Sequence, residues 1–227
     1  MRRTSLIYAC RNNDVELARE LLRQNDDTEP QSTALMARNL ALLQAASSGS
    51  HDCVRLLIDA AADVNTSDGY GDVLEHAFIY AEIEAEDNIL DAFMSVEMLL
   101  KAGVSLDYKN SYEWTRLHTA AFRHHAFVVD FLLAHDASRD ITDKGATPLH
   151  SVCWPDDGKN VERIIQTLAS AGFSWEGRDM DRRTPLHEAV AGDGPCVASI
   201  KTLLTGRPGR PIRPGRSNTS PYCDRAL

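Results

Sequence analysis

Thr147-Pro148-Leu149-His150 and Thr184-Pro185-Leu186-His187 spell the same four residues twice. A degenerate copy, Thr115-Arg116-Leu117-His118, runs on into Thr119-Ala120-Ala121. Each copy announces a helix. Threonine is a good N-cap, because its hydroxyl accepts a bond from a free N–H of the first turn. Proline at the first helical position gives up only an N–H that has no intrahelical partner. Leucine then opens an apolar stripe, and the histidine sits one turn in, where its ring reaches the neighbouring turn. A helix start that recurs along a chain fixes the architecture more firmly than any single residue.

The leucine of each copy, or its equivalent, serves as a register mark: Leu6, Leu42, Leu74, Leu117, Leu149 and Leu186, spaced 36, 32, 43, 32 and 37 apart. After most marks come small residues and then a second apolar run. Ala45-Ala46 is followed by Cys53-Val54-Arg55-Leu56-Leu57-Ile58 and by Ala61-Ala62-Asp63-Val64-Asn65. Later copies give Val128-Val129-Asp130-Phe131-Leu132-Leu133, Ile164-Ile165-Gln166-Thr167-Leu168 and Ile200-Lys201-Thr202-Leu203-Leu204. Small alanines let two helices approach closely, and the Val/Leu runs suit stacking on a neighbour. Gly103 and Gly172 suit a left-handed turn that ends a second helix.

T-P-L-H-x-A at a period of about 33 resembles the ankyrin repeat, and the stretch from Ala45 to Asn65 is similar to that family's second helix and turn. The resemblance implies an all-α ankyrin-repeat solenoid of about six helix-turn-helix repeats with short loop or hairpin fingers. Repeats are expected near 4–25, 39–66, 71–107, 112–140, 144–176 and 181–205, within one domain spanning 1–205. Asp72-Val73-Leu74-Glu75 stands where T-P-L-H belongs in the third repeat. The extra residues there predict lengthened helices around Ile79 to Leu99. Smaller insertions fall at Gln24–Ala37 and Pro155–Asn160.

Composition agrees with a globular chain: of 227 residues 43% are hydrophobic and 25% charged. The net charge of −9 argues against a general nucleic-acid binder. No apolar run approaches the roughly 18 residues of a membrane span. The start, Met1-Arg2-Arg3-Thr4-Ser5, passes into a helical pattern without a signal-peptide core. Five scattered cysteines, Cys10, Cys53, Cys153, Cys196 and Cys223, form no C-x-x-C pair and read as reduced structural thiols. An intracellular protein, cytoplasmic or nuclear, is expected.

The chain holds no P-loop, nucleophile elbow or dinucleotide fingerprint. His118, His150 and His187 occupy a repeat position, and Cys10, Cys53 and Cys153 replace small core residues. No catalytic residue, metal site or cofactor is therefore assigned, and the protein is expected not to be an enzyme. Leu56 to Leu100 carries eleven acids and no Lys or Arg, which is either a set of caps and solvated faces or a patch for a basic partner. Trp114 with Tyr112, and Tyr70, stand in finger segments, where aromatics either anchor partners or pack on a neighbouring finger.

The family resemblance implies protein–protein recognition, as an adaptor or scaffold, on the concave side: finger tips plus exposed positions of the first helices. By register these are Tyr70, Tyr112, Glu113, Trp114, Thr119, Arg123, Lys144, Ser151, Arg182, Arg183 and Glu188. The expected partner is a protein, with a basic one suited to the acidic stretch; no small-molecule substrate is expected, and the chain is expected to be a monomer. The alternative is a fragment or regulatory subunit of a larger ankyrin-containing protein or enzyme complex. From Gly206 the composition turns to Arg, Pro and Gly, and 206–227 reads as a disordered tail. Arg207, Arg210, Arg213 and Arg216 recur every third residue, the period of polyproline II. That tail is the one segment expected to reach nucleic acid or another acidic surface.

Overall fold

The computed structural model describes residues 2–110, 113–138, 144–153, 160–191 and 196–205, with side chains described outside 2–5, 26–27 and 85–92. Tyr112, Cys223, the segment 154–159 and the Arg/Pro tail lie outside the described residues. The backbone is all-α, with repeated helix–turn–helix pairs stacked solenoid-fashion within each of two compact units, Met1–Ser105 and Leu106–Leu227.

In the first unit the pairs are α1 (Arg2–Arg11) with α2 (Val15–Thr28), α3 (Gln31–Ser47) with α4 (His51–Asp59), and α5 (Val73–Ala92) with α6 (Met94–Lys101). First helices pack on first helices, α1 on α3 and α3 on α5; second helices do the same, α2 on α4 and α4 on α6. The second unit repeats the scheme. Its pairs are α7 (Arg116–Phe122) with α8 (Ala126–Ala134), α9 (Pro148–Ser151) with α10 (Val161–Ser170), and α11 (Pro185–Ala191) with α12 (Val197–Thr205). There α7 packs on α9 and α9 on α11, while α8 packs on α10 and α10 on α12.

The register leucines explain the two layers. All six are buried, as are Ala9, Ala45, Ala46, Ala120 and Ala121 beside them. Val54, Leu57, Val129, Leu132, Ile164, Ile165 and Leu168 of the second helices are buried too. No single pair could enclose these side chains, so each unit is held together by stacking.

Left-handed backbone recurs at three positions of the repeat. Within pairs it falls at Asn13, Gly49 and His124; after second helices at Ala61, Gly103, Asp136 and Gly172; in fingers at Glu113, Gly145 and Arg182. Gly49 is the one of these where a Cβ would collide with a neighbour, the Tyr80 ring, which would have to shift. Two of the insertions are helical. The extra length near Gln24–Ala37 extends α2 to Thr28 and starts α3 at Gln31, with Pro30 as the α3 N-cap. The extra length of the third repeat lies largely in α5, twenty residues long.

Candidate functional site

The fingers are short hairpin turns braced by side chains. Before α5, the Val73 N–H donates to the Thr66 carbonyl at 3.2 Å and the Asp68 N–H to the Gly71 carbonyl at 2.9 Å. The Asp68 carboxylate accepts from the Tyr70 N–H at 2.7 Å and the Gly71 N–H at 3.1 Å, and lies 3.2 Å from the His76 ring. Burial alone would raise the Asp68 carboxyl, but the Tyr70 N–H, His76 and the Gly71 N–H outweigh it and hold it below its usual value. Tyr70 tops this rigid turn at 82% exposure. Several acids of the acidic stretch are thereby bound into turns: Asp63 accepts from the Asn65 N–H and buried Asp72 from the Glu75 N–H, both at 2.9 Å.

In the second unit the finger before α7 closes through the Asn110 N–H to the Trp114 carbonyl at 3.0 Å and the Glu113 N–H to the Asn110 carbonyl at 2.9 Å. Glu113 is exposed. The Arg116 guanidinium is buried over the Tyr108 ring, 5.0 Å from its centroid. Lys144 is exposed, and its carbonyl accepts from the Met180 N–H at 2.9 Å, tying two successive fingers together. Before α11, the Asp179 N–H donates to the Arg183 carbonyl at 3.0 Å, and the Asp179 carboxylate accepts from the Arg183 N–H at 2.7 Å. Arg182 is exposed at the tip.

Tyr70, Glu113 and Arg182 occupy one register position, four residues before Leu74, Leu117 and Leu186. Gly145 holds it before Leu149. Arg123, the C-cap of α7, is exposed, and Thr119 of α7 is half-buried. Met180, exposed at a finger tip, has no counterpart in the sequence reading because its position carries no repeat signature.

Besides half-buried Thr119, four residues expected at the surface are placed otherwise. Ser151 is 4% exposed because α9 is one turn long and enclosed by α7, α10 and α11. Glu188 is 4% exposed because it folds back on Arg183 of its own finger, Oε1 to guanidinium 3.1 Å. Arg183 is consequently half-buried between Glu188 and Asp181, the latter at 3.2 Å. Trp114 is half-buried edge-on against Phe122, ring centroids 5.2 Å apart. Tyr112 lies outside the described residues.

The motif histidines are struts. His150 Nδ1 accepts from the Thr147 N–H at 3.0 Å, so Nε2 carries the proton and donates to the Arg183 carbonyl of the next finger at 3.1 Å. His118 repeats this with the Thr115 hydroxyl at 2.8 Å and the Ala146 carbonyl at 3.0 Å. Burial holds His118 down to about 4 against the pull of the Ala146 carbonyl, and lowers His150 as well. His125 is likewise held at about 4 by burial and by Arg123 and His124. The thiols of Cys10, Cys53, Cys153 and Cys196 are free and buried. Cys10 is pushed up by its bond to Cys53 and by burial, and Cys153 by burial. No group of three or more His, Cys, Asp or Glu placed to hold a metal occurs among the described residues. Among them no helix is long and apolar enough to cross a membrane.

Known proteins share this architecture. The family model for ankyrin repeats (three copies) matches residues 1–68 and 85–172. The chain is 29% identical over 208 residues to ankyrin repeat and SOCS box protein 16 of Homo sapiens, covering 88% of this chain and 42% of that protein. It is 31% identical over 166 residues to the ankyrin repeat protein FPV031 of Fowlpox virus (strain NVSL), covering 72% of this chain and 47% of that one. The chain thus spans less than half the length of these relatives. With paired helices, buried register leucines and histidine-strutted fingers, the chain belongs to the ankyrin repeat family.

Proposed function

We propose that this chain is a non-enzymatic recognition module, an adaptor or scaffold that binds a protein through its finger tips and the exposed ends of its first helices. The ankyrin architecture generally mediates protein–protein interaction, and fold alone does not name the partner. The observation that carries the reading is the shared register of Tyr70, Glu113 and Arg182. Three chemically different side chains, an aromatic, an acid and a base, are exposed at one structural position on turns that the backbone holds fixed. A constant scaffold with variable tips is what selective recognition needs. Within the second unit Lys144 and Arg123 add exposed charge to the fingers and first-helix ends, and Thr119 a half-buried edge. Arg183, Glu188 and Ser151 support them from beneath.

A second reading is that the chain is the recognition part of a larger ankyrin-containing protein or of an enzyme complex. It rests on the share of the relatives' length that the chain covers.

The surface reading is tested by affinity capture with wild-type chain and with Tyr70→Ala and Arg182→Ala. Each substitution is expected to weaken retention of the wild-type partner, by about 2 kcal/mol where the residue is an interface anchor. Their melting curves should match wild type. A retained set that ignores both substitutions would remove the finger tips from the binding surface.

A further inference from the structure

Asp68-Gly69, in the finger before α5, is the only Asp-Gly pair among the described residues. Such a pair carries its own chemistry. The Gly69 main-chain nitrogen can close a five-membered ring on the carboxyl carbon of the Asp68 side chain. A C–N bond forms, and the neutral carboxyl group loses its hydroxyl, which leaves with the nitrogen's proton as water. Water then opens the cyclic imide at either carbonyl. One product is the original aspartate. The other is isoaspartate, with the main chain routed through the side-chain carbonyl. One water leaves and one returns, and no oxidant or cofactor enters. A Cβ on the following residue crowds that ring, and glycine has none. The surroundings leave room as well: a Cβ at Gly69 would meet nothing within 4 Å, and Asp68, Gly69 and Tyr70 are exposed.

The finger opposes the first step. The electrophile is the neutral acid, since a carboxylate has no hydroxyl to lose. Asp68 is held as the carboxylate. Its Oδ1 accepts from the Tyr70 N–H at 2.7 Å and from the Gly71 N–H at 3.1 Å, and His76 Nε2 stands 3.2 Å from both oxygens. Against the pull of burial, the Tyr70 N–H, His76 and the Gly71 N–H hold the carboxyl below its usual value. The same grip fixes the side chain, which must turn towards the Gly69 nitrogen to close the ring. The Asp68 N–H, donating to the Gly71 carbonyl at 2.9 Å, and the Ser67–Asp72 bridge hold the main chain of the turn. Of these partners only His76 lies outside the turn, on α5.

We propose that Asp68-Gly69 is a site of spontaneous isoaspartate formation, its rate set by the grip of His76 and the turn N–H groups on the Asp68 carboxylate. The product lengthens the main chain by one methylene and leaves the former main-chain carbonyl as a free carboxylate. The bonds from the Tyr70 and Gly71 N–H groups then lose their geometry, and Tyr70, 82% exposed on this turn, is displaced. The consequence for binding rests on the finger-tip reading given above; the chemistry at Asp68 does not.

The full chain is aged at neutral pH, folded and in urea, and fragmentation mass spectrometry tells α- from β-linked aspartate at position 68. Isoaspartate is expected there in both states, forming more slowly in the folded chain. His76→Ala should speed the folded chain about threefold to tenfold, the factor that one partly exposed hydrogen bond corresponds to. It should leave the rate in urea unchanged. Gly69→Val should stop the reaction at 68 in both states, because a branched side chain crowds the ring. Circular dichroism should show wild-type helix content for both variants. Aged wild-type chain should lose the partner that Tyr70→Ala loses, and aged Gly69→Val should keep what it held when fresh. No isoaspartate at 68 overturns the site. A folded rate that equals the rate in urea, or that ignores His76→Ala, overturns control by the finger. Aged wild-type chain that keeps a partner lost by Tyr70→Ala overturns the displacement of Tyr70. Rates as expected, with every partner retained by Tyr70→Ala, would uphold the chemistry and sink the finger-tip surface instead.

Discussion

His118 shows how much one ring can hold. It fastens the start of its own helix through Thr115 and the next finger through Ala146, and burial keeps it neutral. Its folded value of about 4 lies below the ordinary histidine value of 6.5. The unfolded chain therefore binds more protons between those values, and stability is complete above about pH 6.5 and drains away as pH falls towards 4. The full loss from this group is on the order of 3 kcal/mol. Urea unfolding followed from pH 7 to pH 4 should show the decline, and His118→Gln should flatten part of it. An equal slope in that variant would assign the acid lability elsewhere, with His125, also held at about 4, the next residue to replace. The same scale separates neighbours that the sequence cannot. Arg182 and Arg183 are adjacent, yet one is exposed at a finger tip and the other is locked to Glu188 and Asp181.

At the scale of elements, helix starts are local chemistry and were readable residue by residue. Thr147 with Pro148 and Thr115 with its capping bond to the His118 N–H behave as their side chains dictate. The turn between α3 and α4 is different. Gly49 has φ +62°, and a Cβ there would collide with the ring of Tyr80, a residue 31 positions later. Gly49→Ala should thus cost about 2–4 kcal/mol, combining the left-handed penalty with overpacking. Replacing Tyr80 by Leu in the same chain should recover the overpacking part only. Chemical denaturation of the four chains of that cycle measures both contributions. If the double variant is as unstable as Gly49→Ala, the ring is not the obstacle.

For the molecule as a whole, stability comes from stacking, so damage should spread. Leu149 is fully buried in α9, a helix of four residues that packs on α7, α10 and α11. Leu149→Ala is expected to cost about 2–5 kcal/mol. Hydrogen exchange should then quicken across α7, α10 and α11 as well as α9, as it would in an array stabilised by its neighbours. Faster exchange confined to 147–153 would mean that this pair is held by its own contacts. Acidic character belongs to this scale too. The eleven acids read in sequence as one stretch divide in the structure into turn-bound carboxylates such as Asp63, Asp68 and Asp72, and others placed on helices.

The sequence by itself determined the repeat, its period, the helix starts and the buried register leucines. These rest on short-range rules: capping, the helical period and the need to bury a leucine. It also placed Tyr70, Glu113, Lys144 and Arg182 on exposed fingers, because finger register follows from counting back to the next leucine. Only the tertiary structure decided which register positions stay exposed. Ser151 and Glu188 were indistinguishable from surface residues until α9 proved to be a single enclosed turn and Glu188 turned onto Arg183. Only the fold could bring the Ser50 hydroxyl to the Arg11 carbonyl and the Cys53 N–H to Asn13 Oδ1, pairs 39 and 40 residues apart. The physical reason is that burial and pairing are set by what stacks on a helix, and that neighbour lies a whole repeat away along the chain.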